Sequence, residues 1–321
     1  MKSSLAVLMA CLLICGCLVA PAGAEAGDGT IADAMAQEKS TAYTLDGMIP
    51  SRYLVTCAQP GTIEEIHYTT RDYFGDGSAY TKRAFVYVPY GYSPENRYRV
   101  LVLCHGIGGS EYEWGMTDSF SRVKLIMDNL IMNGEIEPFL VVTPNGKAGD
   151  LSKPGIDTNT AYQAFYLFGQ ELRNDLLPYL DEHYSTYGSG QESLSASRDD
   201  RAMAGLSMGG MQTINIGLCE CLDLFGYFGA FSACPTTYPA QEIARRLEAF
   251  PEERIHYFYN ICGTEDNIAY ASASAAARGI LPCTDRLSEE NYAWQEVPGG
   301  HNFGVWYLGF YNFARIFGAK R

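Results

Sequence analysis

The sequence lacks clusters of basic residues, with only 23 lysines and arginines against 37 aspartates and glutamates. Its formal net charge is −14 and its cations are scattered, so it has no basic patch of the kind that binds nucleic acid or an anionic membrane. From about residue 49 onward it also lacks repeats, low-complexity breaks and any marked linker. Residues 49–321 are therefore predicted to form one domain that acts on a neutral substrate.

The sequence also lacks any C-x-x-C pair. Of its 10 cysteines, three fall within the first 24 residues, and an odd number remains beyond them. That pattern excludes a zinc framework and a dense disulfide scaffold, and we predict neither a metal nor a cofactor. Buried free thiols are favoured by the apolar contexts, while one disulfide involving Cys234 or Cys283 stays open. The remaining cysteines are Cys57, Cys104, Cys219, Cys221, Cys234, Cys262 and Cys283.

The amino terminus reads as a targeting segment. Lys2, an apolar stretch and the small residues Ala22-Gly23-Ala24 predict a secretory signal peptide over residues 1–24. Alternatively, the stretch ICGC resembles a bacterial lipobox with Cys17 as the lipidated residue. Residues 25–48 lack apolar periodicity and are predicted to be a flexible leader. We therefore expect a bacterial, secreted protein, with a lipid anchor at Cys17 as the alternative.

Strand-like and helix-like patterns alternate along the rest of the chain. This alternation predicts an α/β fold with a mostly parallel central sheet of about eight strands and helices on both faces. No helix separates the first two strands, which predicts an antiparallel start. The predicted strands are 63–70, 83–89, 99–104, 139–143, 201–204, 226–231, 255–261 and 292–297, and the predicted helices are 119–133, 162–184, 208–220, 240–249, 268–279 and 303–317.

The stretch AGLSMGG places Ser207 between a short strand and a helix, with Gly205 and Gly209 two residues to either side. This is the pattern of a nucleophile elbow, whose sharp turn needs small flanking residues. Serine is a weak nucleophile and needs a base to accept its proton. The best candidate is His301, which follows the last strand and so lies at the same, carboxyl edge of the sheet.

A carboxylate must orient that histidine. The segment CGTEDN after the seventh strand offers Glu265 and Asp266, although either could simply cap the next helix. The order Ser207, Asp266, His301 is that of α/β-hydrolases. The predicted oxyanion hole takes its N–H groups from Met208 and from the loop HGIGG, where Ile107 is the first choice and Gly106 the second.

The motifs LCHGIGGSEYEW, AGLSMGGMQ, FSACP, ICGTED and GGHNFGVW together resemble the esterase-D-like branch of the α/β-hydrolases. Within that branch they are similar to the bacterial feruloyl esterases of carbohydrate esterase family 1. The resemblance runs from about residue 60 to the carboxyl terminus. It implies an α/β-hydrolase fold with Ser207 as nucleophile, His301 as base and Asp266 as its partner.

The expected reaction is hydrolysis, through an acyl-enzyme, of the ester between a hydroxycinnamate such as ferulate and arabinose on xylan. Segment 232–254 is too short for a lipase-type lid, so the cleft should be open. Acetylxylan or another carbohydrate acyl ester is an alternative substrate, and an acyltransferase or a non-catalytic binding module is a further alternative. Predicted substrate-binding residues, whose rings and polar groups suit a phenolic acid or a sugar, are Trp114, Asn145, Asp157 and Trp306.

Overall fold

The computed structural model describes residues 43–157 and 160–320. The predicted signal peptide, residues 1–24, lies outside these ranges, as does the predicted leader up to residue 42. Within the described ranges, no helix combines the length and apolar character that crossing a membrane demands.

Eight strands form one sheet in the order β1-β2-β4-β3-β5-β6-β7-β8. Only β2 runs against the others: it is antiparallel to β1 and to β4, and all the remaining pairs are parallel. The predicted α/β fold and its antiparallel start are confirmed. The strands are β1 Thr62–Arg71, β2 Ala79–Val88, β3 Arg99–Cys104, β4 Phe139–Pro144, β5 Arg201–Leu206, β6 Tyr227–Phe231, β7 Tyr257–Gly263 and β8 Tyr292–Val297.

Helices cover both faces of this sheet. The helix predicted over 162–184 is interrupted: a 3-10 turn, Ala161–Leu167, leads into α2, and a π-helical turn, Leu172–Leu176, separates α2 from α3. The helix after Ser207 likewise passes into a π-helical turn, Thr213–Leu218. The helices are α1 Arg122–Met132, α2 Phe168–Glu171, α3 Leu177–His183, α4 Met208–Gln212, α5 Ala240–Leu247, α6 Tyr270–Gly279 and α7 Phe303–Phe317.

The hydrophobic core lies in two layers, one on each face of the sheet. Side chains of α2 and α3, such as Phe168 and Leu180, pack on one face, and those of α1 and α7, such as Ile126 and Phe313, pack on the other. Strands β3, β4 and β5 are buried along their whole length, as expected of parallel strands covered on both sides. Each large apolar side chain buried in this way contributes about 1.5–3 kcal/mol.

Residues 43–48 correct the predicted boundary of the flexible leader, because they pack against the fold. The Asp46 carboxylate accepts hydrogen bonds from Tyr311 at 2.9 Å and from Arg315 at 2.8 Å. Its backbone carbonyl accepts a further bond from Asn312 at 3.0 Å. These contacts tie the segment to α7, so residues 43–48 pack with the domain and are not part of a flexible leader.

The seven cysteines of the described residues are all free thiols. Five of them are buried, which agrees with the role of small apolar residue expected from their context. The disulfide left open for Cys234 or Cys283 is not formed.

Candidate active site

Ser207 occupies a sharp turn between β5 and α4. Its backbone has φ 52° and ψ −111°, a left-handed conformation that costs energy for any residue with a side chain. A Cβ atom added to Gly209 would lie 2.5 Å from the carbonyl oxygen of Cys104, and one added to Gly205 would lie 2.6 Å from the carbonyl carbon of Gly209. The turn therefore needs glycine at both positions. The Ser207 N–H donates to Phe231 on β6 at 2.9 Å, which fixes the turn to the sheet.

The structure brings the side chains of Ser207, His301 and Asp266 together. The His301 Nε2 atom lies 3.0 Å from the Ser207 Oγ atom, and His301 Nδ1 lies 2.8 Å from Asp266 Oδ2. A carboxylate on Nδ1 holds the proton on that nitrogen, so Nε2 carries a lone pair toward the serine hydroxyl. This is the geometry that a proton transfer from serine requires.

Asp266 combines the two roles that the sequence left as alternatives. Its Oδ1 atom accepts the N–H groups of Ile268 at 3.0 Å and Ala269 at 2.8 Å, just before α6, while Oδ2 faces His301. Burial by itself would raise the pKa of Asp266, but the Ala269 N–H and the imidazole hold that pKa below its usual range. The carboxylate is therefore ionised and oriented. Its neighbour Glu265 is exposed.

Two further residues lie beside this carboxylate, and the sequence reasoning missed both. Ser232 is fully buried with φ 48°; its hydroxyl helps to lower the pKa of Asp266, and its Oγ atom lies 3.8 Å from the Cys262 Sγ atom. The Cys262 Sγ atom lies 3.7 Å from Asp266 Oδ2, and burial raises the pKa of this thiol to about 12, so it stays neutral. The available signal for Ser232 was its place directly after β6, at the edge where Ser207 also lies.

Side chains engage both ends of the HGIGG loop after β3. The Gly106 N–H donates to the Glu113 carboxylate at 2.6 Å, and the Lys147 ammonium donates to the Gly109 carbonyl at 2.8 Å. The Gly106 N–H already has an acceptor, which disfavours the second-choice assignment of Gly106 to the oxyanion hole. Ile107 lies between these anchors with its side chain exposed, and its N–H remains the predicted donor.

His105 braces this loop and is not a base. Its Nε2 atom accepts the Gly146 N–H at 2.9 Å, and its Nδ1 atom lies 2.7 Å from the Gly106 carbonyl oxygen. Burial lowers the pKa of His105 from 6.5 to about 4, so the ring is neutral with its proton on Nδ1. It thereby links the loops that follow β3 and β4.

Met208 is the first residue of α4, and the N–H groups of a helix's first turn have no acceptor within the helix. Its predicted role as the second oxyanion donor is compatible with that position. Its side chain belongs to an apolar cluster beside the nucleophile, with partly buried Tyr166 packed against it. The buried members of this cluster are Phe165, Met208, Met211 and Cys234.

The prediction that Trp114 binds substrate is wrong. Its side chain is fully buried, and the indole N–H donates to the Cys104 carbonyl at 3.0 Å. Rings of α7, including Phe303 and Phe310, pack around it. Trp114 is thus a core residue, whereas the sequence predicted that its side chain would face the substrate.

The other three predicted substrate-binding residues lie at the expected edge. The ring of Trp306 packs edge to face against the ring of His301, the candidate base, with ring centroids 5.0 Å apart. Asn145 is half-buried, and its Oδ1 atom lies 3.3 Å from His105 Nε2. Asp157 is exposed, and its backbone carbonyl accepts the Thr160 N–H at 3.0 Å. Their contact with substrate stays a prediction.

Across residues 43–157 and 160–320, no group of three or more His, Cys, Asp or Glu side chains is placed to hold a metal ion. A cavity of about 780 Å³ is lined by residues of α5 and the segment 281–286 and includes none of the three triad residues.

An elbow serine, a histidine and a buried aspartate, in that geometry at the carboxyl edge of a mostly parallel sheet, define an α/β-hydrolase. Comparison with known families narrows this class. A family model described as "Putative esterase" matches residues 81–307, and the chain belongs to this esterase family.

Two curated relatives are similar over part of their length. Endo-1,4-beta-xylanase Y of Acetivibrio thermocellus is 33% identical over 263 residues, which are 78% of this chain and 22% of the relative. A protein of Xylanibacter ruminicola named endo-1,4-beta-xylanase/feruloyl esterase is 34% identical over 212 residues, 64% of this chain and 25% of the relative. The chain therefore spans about a quarter of the length of these relatives.

Solved structures show the same fold. A mutant of the feruloyl esterase module from Clostridium thermocellum, complexed with sinapinate, is 28% identical with a TM-score of 0.68, covering 85% of this chain and 93% of that one. A ferulic acid esterase from the anaerobic fungus Anaeromyces mucronatus, in complex with ferulic acid, has a TM-score of 0.67 at 24% identity, covering 85% of this chain and 97% of that one. Because the fungal esterase is only 24% identical to this chain, its similarity shows a shared fold and nothing more.

Proposed function

We propose that the protein is a serine esterase that releases ferulate or a related hydroxycinnamate from arabinoxylan. The observation that carries this proposal is the hydrogen-bonded series from Ser207 through His301 to Asp266, with distances of 3.0 and 2.8 Å. The strained backbone of Ser207, with φ 52°, adds support because strain of this kind concentrates at functional sites.

The reaction begins when Ser207 Oγ attacks the ester carbonyl carbon and His301 Nε2 takes the hydroxyl proton. The bond from the carbonyl carbon to the sugar oxygen then breaks, and the sugar oxygen takes that proton from Nε2. Water next attacks the acyl carbon and gives one proton to His301 Nε2. The bond from that carbon to Oγ then breaks, Oγ takes the proton from Nε2, and the acid is released. Asp266 remains ionised throughout and stabilises the imidazolium formed at each step.

Negative charge develops on the carbonyl oxygen at both tetrahedral stages, and backbone N–H groups must receive it. We assign this role to the N–H groups of Ile107 and Met208. The bonds from Glu113 to Gly106 and from Lys147 to Gly109 brace the loop that carries Ile107. A loop held in advance of the reaction does not have to reorganise as charge forms.

The apolar cluster of Phe165, Met208, Met211 and Cys234 supports a planar aromatic acyl group, because aromatic and thioether side chains pack well against a ring. The names of two relatives point the same way: one is called a xylanase/feruloyl esterase, and another is a feruloyl esterase module with bound sinapinate. Trp306 contacts His301 and would steady the base. Asn145 and Asp157 are proposed to hydrogen-bond the substrate.

We also propose that the protein is exported, on the grounds of the signal-like residues 1–24. Export would bring the enzyme to a polymer outside the cell. Amino-terminal sequencing of the mature protein tests this: cleavage after Ala24 supports secretion, a lipidated Cys17 supports anchoring, and an intact Met1 in exported fractions contradicts both.

The substrate proposal is tested with purified protein assayed side by side on methyl ferulate, 4-nitrophenyl acetate and acetylated xylan. Ferulate release at a kcat/KM well above that for acetyl esters is expected. Acetate release from xylan with no detectable ferulate would contradict the feruloyl assignment and favour the acetylxylan alternative, while leaving the serine mechanism in place.

A further inference from the structure

A polar cavity of about 470 Å³ lies at the edge of the sheet that carries Ser207. It is formed by the start of β2 and the loop after β4. In the sheet order, β3 alone separates β4 from β5, the strand that ends at Ser207. With neighbouring strands about 4.8 Å apart, the cavity is centred about 10–15 Å from the nucleophile. Residues that line it include Thr81, Arg83, Glu111, Asn145, Lys147 and Ser152.

Lys147 connects this cavity to the catalytic centre. Its ammonium donates to the carbonyl of Gly109 in the oxyanion loop at 2.8 Å. The same ammonium lies 5.5 Å from the ring centre of Phe165, a member of the apolar cluster beside the nucleophile. One side chain thus contacts the cavity, the oxyanion loop and the proposed acyl pocket. The cavity therefore adjoins the oxyanion loop and the proposed acyl pocket.

The chemistry of the cavity wall suits hydroxyl groups. It presents hydroxyls, an amide, an ammonium and a guanidinium, and so offers both hydrogen-bond donors and acceptors. Its charges are largely balanced, since Arg83 lies 3.2 Å from Glu111 and 3.6 Å from Glu65, and Lys82 is paired with buried Glu171 at 2.7 Å. A balanced polar wall favours a neutral ligand with many hydroxyls over a hydrocarbon ring or an isolated ion.

We propose that this cavity is a carbohydrate subsite, which binds a sugar residue of the polymer backbone or side chain beyond the sugar that carries the ester. The proposal rests on the proposed function, because the ester at Ser207 fixes one end of the ligand. The subsite would make feruloylated oligosaccharides better substrates than simple ferulate esters, since the added contacts are made away from the reacting bond.

The test fills the cavity with Thr81→Trp, at an exposed strand position that tolerates a large aromatic residue. For a feruloylated arabinoxylo-oligosaccharide, kcat/KM is expected to fall about tenfold, the loss of one or two hydrogen bonds. For methyl ferulate, which has no sugar, it should change less than twofold. Ser152→Trp, which enters the same cavity from the loop, should act alike, and Thr284→Trp in the unrelated cavity at 281–286 is the matched control.

Binding separates this inference from the esterase proposal. Calorimetry with an unesterified arabinoxylo-oligosaccharide should detect binding to the wild-type protein, weakened by Thr81→Trp and Ser152→Trp and unchanged by Thr284→Trp. Absence of binding, or equal losses on methyl ferulate and on the oligosaccharide, would overturn the subsite. Failure to hydrolyse any ferulate ester, with this binding pattern intact, would instead refute the proposed activity alone.

Discussion

Replacing Asp266 with asparagine tests how the histidine is oriented. One carboxylate oxygen of Asp266 accepts two backbone N–H groups, and the other accepts His301 Nδ1–H. In asparagine the single oxygen must serve the backbone donors, so the NH₂ group faces Nδ1. The imidazole then has to accept at Nδ1 and carry its proton on Nε2. A protonated Nε2 cannot take the proton of Ser207.

The expected cost is about 10⁴-fold in kcat, which corresponds to about 5 kcal/mol of lost transition-state stabilisation. The KM should change little, because the Asp266 side chain is buried and does not reach the substrate. The assay is steady-state ferulate release from methyl ferulate, with circular dichroism to show that the near-isosteric variant is folded.

Glu265→Gln is the matched control, because Glu265 is the adjacent carboxylate and is exposed. It should retain wild-type kcat within about twofold. If Asp266→Asn kept kcat within tenfold of the wild type, or if Glu265→Gln caused the larger loss, the assignment of the acid and the tautomer argument would both be refuted.

Three further predictions concern the surroundings of the triad. Gly209→Ala should lower the free energy of unfolding by about 1–3 kcal/mol and abolish activity, because the added Cβ would lie 2.5 Å from a backbone oxygen. Gly108→Ala is the control, because a Cβ at Gly108 has open space. Equal melting temperatures for the two variants would contradict the clash. Ser232→Ala and Ser232→Gly should each lower kcat about tenfold or more, because the Ser232 hydroxyl favours the charged form of Asp266. The glycine variant should be the more stable of the two, because φ is 48°. Full activity in either variant would show that Ser232 does not position the carboxylate. Burial lowers the pKa of His105 from 6.5 to about 4, so the ring stays neutral in the folded protein, whereas the unfolded chain binds a proton below pH 6.5. The folded state should therefore lose about 3 kcal/mol of stability as the pH falls from 6.5 to 4. In urea unfolding, the free energy of unfolding of His105→Asn should depend less steeply on pH, and an unchanged dependence would contradict this.

The sheet and the elbow could be predicted because their signals are local. Buried parallel strands have continuous apolar runs, and the turn at Ser207 requires glycine on both sides regardless of the rest of the chain. The convergence of Ser207, Asp266 and His301 could then be predicted from the rule that loops after parallel strands meet at one edge. Nothing in that reasoning required knowledge of side-chain packing.

The errors concern contacts between distant segments. Trp114 was predicted to face the substrate from its place in a loop, but it is surrounded by rings from α7, almost 200 residues later. Asp46 was predicted to lie in a flexible leader, but Tyr311 and Arg315 bind it. Ser232 was overlooked because its left-handed backbone is not marked by glycine. These contacts are made by residues far away in the sequence, so the local composition around each residue could not predict them.

The central claim is that Ser207 carries out the hydrolysis of a ferulate ester. The most direct measurement is the kcat for ferulate release from methyl ferulate by the wild-type protein and by Ser207→Ala. We expect clear turnover by the wild type and a loss of at least about three orders of magnitude in the variant. A variant within tenfold of the wild type would contradict the claim, as would a folded wild-type protein that releases no ferulate.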